Sequence, residues 1–328
     1  MMRAALAMDA HLPERFFTPN ARAALATQLE LAGDAAPTVA AALRSDLEVL
    51  ITGWGVQALT RDDLDAMPKL RAIIHAGGGI GWIDGAAWER GILVASAADA
   101  NAIPVAEYTF AMILLAAKDV PWVSRRYVQE QSDIDREADY PSIGAYGTSV
   151  GIVGASRVGS RVLASLATTA FETSLFDPYC SAERAAELGA RKVDDLVEVA
   201  SASRILSVHA PATDATQGLI SREVLAALPD GATLINTARG ALVDQDALVD
   251  ELRSGRLRAI LDVTTPEVLH SGHPLYELPN VVITPHLSGS AGNELFRLGD
   301  AVAENVARLA AGQSLVGAVS AADRARQV

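Results

Sequence analysis

The sequence predicts an α/β protein built from two doubly wound parallel-sheet domains. Short apolar runs alternate with longer amphipathic stretches along nearly all of the 328 residues. That alternation is the pattern of parallel strands joined by helical crossovers, and the length suits two cores better than one. Glycine clusters directly after several of the apolar runs mark loops at strand ends, where open α/β sheets place their ligands.

In the first hundred residues the pattern predicts strands at Ala4–Met8, Glu48–Thr52, Ala72–His75 and Leu93–Ala95, and helices at Asn20–Leu31, Thr60–Met67 and Asp84–Arg90. Gly53-Trp54-Gly55 and Gly77-Gly78-Gly79 follow two of these strands. A long helix is expected over Asn101–Lys118, with Asn101 as its cap and Pro104 in its first turn. It is apolar nearly all round, which predicts burial. Gln129–Gly147 is polar and reads as a connecting arm. A second set of strands is then expected at Ser149–Val153, Ser174–Phe176, Ile205–Val208, Thr233–Asn236, Ala259–Asp262 and Val281–Thr284, with a terminal helix from near Ala291.

Half of the residues are hydrophobic, the net charge is −13, and there is one cysteine. An acidic chain repels phosphate backbones, so no nucleic-acid partner is expected. Cys180 has no intrachain partner, and the cysteine count gives no metal-ligand pattern. The N-terminus carries no secretory pattern, and the run Phe110–Ala117 is too short to span a bilayer. A cytoplasmic protein with no membrane partner and no metal is expected.

Thr148–Val153 leads straight into Gly154-Ala155-Ser156-Arg157-Val158-Gly159 and then a helix, the strand–turn–helix context of a dinucleotide-binding loop. Gly154 permits the turn, Gly159 allows close helix packing, and the helix start offers N–H groups to a pyrophosphate. Ser156 stands where the middle glycine is usual. Asp177 ends the next strand at the offset of an acid that binds the adenosine ribose; a carboxylate there repels a 2′-phosphate, which predicts NAD over NADP. The alternative for Asp177 is a simple turn cap before Pro178.

Three more segments end predicted strands with reactive groups: Asn236-Thr237-Ala238-Arg239-Gly240, Asp262-Val263-Thr264-Thr265-Pro266-Glu267, and Thr284-Pro285-His286-Leu287-Ser288-Gly289. Together with the glycine loop, this ordered set resembles the D-isomer-specific 2-hydroxyacid dehydrogenases over nearly the full chain, most densely from Val150 to Gly289. The resemblance implies a Rossmann nucleotide domain over residues 101–290 and a discontinuous, flavodoxin-like substrate domain over 1–100 and 291–328. Two chain crossings between these domains would permit hinge closure, and the resemblance implies a homodimer joined through the nucleotide domain.

The resemblance makes Arg239, Glu267 and His286 the catalytic set for moving hydride between NAD and a small 2-hydroxy or 2-oxo acid. An imidazole titrates near neutral pH and can take the hydroxyl proton. A carboxylate fixes its tautomer, and a guanidinium forks onto the substrate carboxylate. The resemblance also implies that the backbone of Arg157 and Val158 meets the pyrophosphate, within a cofactor-binding loop made of Gly154, Ser156, Arg157, Val158 and Gly159. Ala238, Arg239, Asp262, His286 and Gly289 would lie around the nicotinamide, and Gly78 and Gly79 would hold the substrate carboxylate with Arg239 and His286.

The chain departs from the family pattern at Gly81, where an aspartate is usual, and at Val268, where a proline is usual. An NAD-sensing, corepressor-like protein on the same fold is the rival reading. A formate dehydrogenase relative would carry glutamine in place of Glu267. Family members that oxidise phosphoglycerate tend to carry an arginine in the first N-terminal loop. Thr52–Val56 has no basic residue, so the resemblance disfavours a phosphorylated substrate and leaves glyoxylate, hydroxypyruvate and larger 2-oxo acids open. Among the remaining residues, His209 borders the cofactor loop or simply packs, and His75 and Trp54 are either substrate contacts or core. His270 and His273 share a loop without a third ligand.

Overall fold

The structure is a computed structural model and describes residues 1–40 and 44–324. The expected end of the substrate domain at residue 328 lies outside the described residues. The chain divides into two compact units, Met1–Ala102 with Gly289–Val328, and Ile103–Ser288.

The first unit holds β1 (Met2–Ala7), β2 (Leu29–Leu31), β3 (Val49–Thr52), β4 (Ala72–His75) and β5 (Leu93–Ser96). They form one parallel sheet in the order β2-β1-β3-β4-β5. This is the flavodoxin-like order, and it reverses direction between β1 and β3. Alternate residues feed two cores. Ala4, Val49, Ile51, Ala72 and Ile74 pack with the helices Pro19–Gln28 and Leu295–Ala310. Ala5, Leu50, Ile73 and Val94 pack on the other face with Leu64, Met67, Ile80 and Ile83. The central strands β3 and β4 are buried on both faces, so they read as nearly unbroken apolar runs. Gly299 lets the C-terminal helix meet the Phe16 carbonyl, a spot a Cβ would fill.

The second unit holds β6 (Ser149–Val153), β7 (Glu172–Phe176), β8 (Arg191–Lys192), β9 (Ile205–Val208), β10 (Thr233–Asn236), β11 (Arg258–Leu261) and β12 (Val281–Ile283). All pair in parallel, in the order β12-β11-β10-β9-β6-β7-β8. Numbered from β6, this is the 3-2-1-4-5-6 dinucleotide-binding order with one strand added, and its switch point falls between β6 and β9. Alternation again splits the core: Val153, Leu206, Val208, Leu234 and Leu261 face one helical layer, and Val150, Ile152, Ile205, Ile235 and Ile260 the other.

Several expectations shift. The segment expected as one helix over Asn20–Leu31 is a helix over Pro19–Gln28 followed at once by β2. Thr18, whose side chain accepts from the Ala21 N–H, caps that helix. The long helix runs Ala98–Ala117, so Asn101 lies inside its first turn and caps nothing. That helix is long and apolar enough by length and composition to cross a membrane. Within the second unit its Ala106, Ile113, Ala116 and Ala117 are instead committed to the sheet core. The start of the expected arm is helical, Val120–Glu130, with a further turn at Arg136–Asp139. Two strands of two and three residues, β8 and β2, were too short to leave a periodic signal.

Candidate functional site

In the second unit β6 ends at Val153, and Gly154 turns the chain with φ +97°, a backbone region that favours glycine. A Cβ at Gly154 would lie 2.7 Å from the Ala210 nitrogen, and one at Gly159 would strike the Gly154 carbonyl. These glycines let the helix Arg157–Leu166 start directly against the strand end. Ser156 does not interrupt the motif. It is the helix N-cap, and its Oγ accepts from the Gly159 N–H at 3.3 Å. Arg157 and Val158 are the first two helical residues, with their N–H groups pointing out of the helix start. Ser160, not singled out in the sequence, donates to the Ala155 carbonyl at 2.9 Å and braces the loop.

Asp177, next after β7, is half-buried and performs the turn-cap role as well as facing the glycine loop. Its Oδ1 accepts from the Tyr179 N–H (2.8 Å), and its Oδ2 from the Ala155 N–H (2.7 Å). Each oxygen keeps a lone pair for a ribose hydroxyl. His209 follows β9 and is buried beneath the loop, its Cβ 3.1 Å from the point a Cβ on Gly159 would occupy. Its Nε2 pairs with Ser207 Oγ at 2.9 Å, and its Nδ1 is buried with no hydrogen-bond partner among the described residues. Burial pulls the ring down to about 3, so it is neutral. The cradle that a Cβ would fill, the open helix start and the carboxylate with spare lone pairs fit a dinucleotide.

The loops after β10, β11 and β12 are tied into one structure. Buried Asn236 shapes the first: its Oδ1 accepts from Ala238 N–H (3.0 Å) and its Nδ2 donates to the Arg239 carbonyl (2.8 Å). Arg239 is exposed and donates to the Ala238 carbonyl at 2.6 Å. Gly240 lies against the Thr264 carbonyl, where a side chain would collide, so Arg239 is set beside the β11 loop. Gln245 clamps that loop from the far side. It donates to Thr265 O (2.7 Å) and accepts from Thr265 N–H (2.9 Å).

His286 and Glu267, 19 residues apart, meet with Nδ1–Oε1 at 2.6 Å. Both are about half exposed, at 44% and 54%. His286 has φ +53°, a left-handed conformation that costs a non-glycine residue about 1 kcal/mol or more. Asp262 offsets that cost. It is 1% exposed; its Oδ1 accepts from Thr284 Oγ1 (2.6 Å) and Leu287 N–H (2.7 Å), and its Oδ2 from Ser288 N–H (2.8 Å). Its carbonyl takes the His286 N–H at 2.9 Å. The carboxylate that the resemblance sets around the nicotinamide is therefore also the strut of the histidine loop. Tyr108 OH extends the network to Thr284 Oγ1 at 2.9 Å, and Thr109 Oγ1 meets Thr237 Oγ1 at 2.7 Å. Neither Tyr108 nor Thr109 carried a sequence signal beyond helical periodicity.

Arg239, Glu267, His286, Asp262 and the glycine loop all belong to the second unit. Gly78, Gly79 and Gly289 belong to the first. Gly79 is exposed at the end of the β4 loop, and Gly78 lies beside Asn101. Asn101 Oδ1 accepts from the Ser290 N–H at 3.1 Å, a link the sequence reading missed by treating Asn101 as a cap. His270 and His273 stack edge-on at 5.1 Å. Among the described residues no group of three or more His, Cys, Asp or Glu could hold a metal ion.

The family model for the NAD binding domain of D-isomer specific 2-hydroxyacid dehydrogenases matches residues 110–288. The chain belongs to this family. It is similar to the D-3-phosphoglycerate dehydrogenase of Methanocaldococcus jannaschii, 34% identical over 270 residues, which are 82% of this chain and 51% of the relative. The Mycobacterium bovis protein of the same name is 35% identical over 310 residues, 92% and 57% of the two chains. The family member described here thus spans about half the length of these curated relatives. Among solved structures it is similar to the TT0316 protein of Thermus thermophilus, with TM-score 0.77 and 29% identity over 97% of this chain and 100% of that one. It also resembles Aquifex aeolicus D-lactate dehydrogenase complexed with NAD and lactic acid, with TM-score 0.72 and 26% identity over 94% and 96%.

Proposed function

We propose that this 2-hydroxyacid dehydrogenase family member is an active NAD-dependent oxidoreductase that interconverts a D-2-hydroxy acid and its 2-oxo acid. The observation that carries the reading is the His286–Glu267 pair. With Nδ1–H engaged by the carboxylate, Nε2 is the nitrogen left to exchange a proton with the substrate hydroxyl. Glu267 holds the tautomer and stabilises the imidazolium that forms. Arg239 forks onto the substrate carboxylate and polarises the carbonyl in the reverse direction. Gly78 and Gly79 offer N–H groups to a carboxylate. Bound NAD supplies the hydride acceptor; Gly154 to Gly159, Asp177, Ala238, Asp262 and Gly289 are the residues proposed to hold it, and His209 backs the loop.

We further propose a homodimer joined through the second unit. The helix Val120–Glu130 buries none of its residues, and Val120, Tyr127 and Val128 are 41%, 59% and 66% exposed, with Leu114 and Leu115 of the preceding helix at 37% and 36%. So much exposed apolar side chain on consecutive helices supports a covered face. A cytoplasmic location is part of the same reading.

His286→Asn should lower turnover about 10²-fold or more while NADH binding, followed by fluorescence, is kept. Arg239→Lys should weaken substrate use although charge is preserved. Normal turnover in either variant refutes the assigned role. NADH binding by the unaltered protein without turnover of any 2-oxo acid favours a sensor instead.

A further inference from the structure

The identity of the 2-oxo acid can be narrowed from the first unit, an inference that rests on the dehydrogenase reading above. The first sheet reverses between β1 and β3, and ligands of open parallel sheets settle outside the carboxyl ends of strands at such a reversal. The loop after β3 is Gly53-Trp54-Gly55. Trp54 is 42% exposed, and both its ring and its carbonyl have partners. Phe16 meets its ring edge-on at 5.5 Å, and its carbonyl accepts the Asp9 N–H at 3.0 Å across the reversal. Gly53 is pressed on Phe16 and Met8, and Gly55, at φ +79°, lies against the Asp9 carboxylate. The two glycines beside Trp54 thus leave no space for side chains of their own, and the indole stands partly in water with aromatic surface uncovered.

One strand over, His75 ends β4 directly beside Thr52 in register, with Thr52 Oγ1 and His75 Nδ1 at 3.0 Å. The ring is 4% exposed and lies under the glycine loop, 2.5 Å from where a Cβ on Gly77 would sit. Burial holds it at about 4, so it carries no charge at neutral pH. Trp82 packs edge-on against it at 5.3 Å, and the indole N–H donates to the Gly79 carbonyl at 3.1 Å. The strand-end segments 8–12, 53–57, 76–82 and 97–102 contain Asp9, Asp99 and His11 but no Lys or Arg. Cationic side chains that would favour a phosphate in the substrate are missing from these segments, which offer carboxylates and aromatic rings.

We propose that the substrate is a non-phosphorylated 2-oxo acid with an apolar, preferably aromatic, side chain, and that Trp54 is the residue that selects it. In this the chain differs from the activity named for its phosphoglycerate dehydrogenase relatives.

The test uses the full chain with NADH and four acids: phenylpyruvate, 4-methyl-2-oxopentanoate, glyoxylate and 3-phosphohydroxypyruvate. The kcat/KM for phenylpyruvate should exceed those for glyoxylate and the phosphorylated acid by about tenfold or more. Trp54→Ala should lower kcat/KM for phenylpyruvate about tenfold, mainly through KM, and leave glyoxylate within about twofold. Trp54→Phe should restore most of the loss. A preference for 3-phosphohydroxypyruvate overturns the inference while leaving the dehydrogenase reading intact, and so does a Trp54→Ala loss that is equal for every acid. Failure to reduce any acid, with NADH still bound, refutes the dehydrogenase reading and this inference with it.

Discussion

Replacing Asp262 with asparagine isolates the strut beneath His286. The carboxylate accepts three hydrogen bonds from the loop, two at Oδ1 and one at Oδ2, in a site that is 1% exposed. An amide has one oxygen. If its nitrogen replaces Oδ2, it faces the Ser288 N–H; if it replaces Oδ1, it faces the Leu287 N–H. Either orientation sets donor against donor in a buried place, so one backbone bond to a charged acceptor is lost, about 1.5–3 kcal/mol. The loop must also keep His286 in its left-handed conformation. If that energy is drawn from loop alignment, kcat falls roughly 10- to 10²-fold. Steady-state kinetics with NADH fluorescence titration measures this, since loop misalignment lowers kcat more than it weakens NADH binding. A kcat within about threefold of the unaltered protein would refute the assignment of Asp262 as the strut.

Three other substitutions probe separate parts of the molecule. Glu267→Gln should leave the melting temperature nearly unchanged, because the pair is about half exposed and such pairs add little stability, yet lower kcat about tenfold or more by removing the charge beside the imidazolium; equal kcat would remove Glu267 from the catalytic set. Gly159→Ala places a Cβ on the Gly154 carbonyl, so NADH affinity should fall about tenfold or more, and unaltered binding would show that the helix start is not the pyrophosphate site. His75 is held at about 4 against an ordinary 6.5, so between those values the unfolded chain binds a proton the folded chain refuses. Its contribution is level above pH 6.5 and costs stability progressively as pH falls towards 4, by about 3 kcal/mol in full. His75→Gln should flatten the melting-temperature profile between pH 7 and 5, and parallel profiles would count against it.

Much of the architecture is legible in the sequence because both sheets are buried on both faces. Strands such as Val49–Thr52 and Ala72–His75 open with three apolar residues in a row directly after the charged Glu48 and Arg71, and their limits follow from composition. β2 is hidden because Leu29 continues the helical spacing of Ala21 and Leu25, and only pairing with β1 draws Leu29–Leu31 into extended backbone. Asn101 has the residue type of a cap, but the chain is already helical from Ala98, so its side chain serves Ser290 instead. The motifs named Arg239, Glu267 and His286 as residue types without their geometry. The bond between Glu267 and His286 depends on β11 and β12 being neighbours, and that is a property of sheet order.

The same dependence explains why carboxylates recur at the strand ends. Asp177 and Asp262 each stand at the end of a strand and take backbone N–H groups from a loop on a different strand: Ala155 after β6, and Leu287 and Ser288 after β12. A loop that must turn tightly from strand to helix, as at Gly154, or hold a left-handed residue, as at His286, leaves donors without helix or sheet partners. A carboxylate satisfies several such donors at once and accepts in any orientation. An amide would turn one of them into a clash, and a hydroxyl reaches too few. Ser156 solves a smaller version of the same problem, one N–H at a helix start, and for that a hydroxyl is enough. The serine in place of glycine is therefore a different way of satisfying the loop, and the two aspartates are the positions where no such exchange is available.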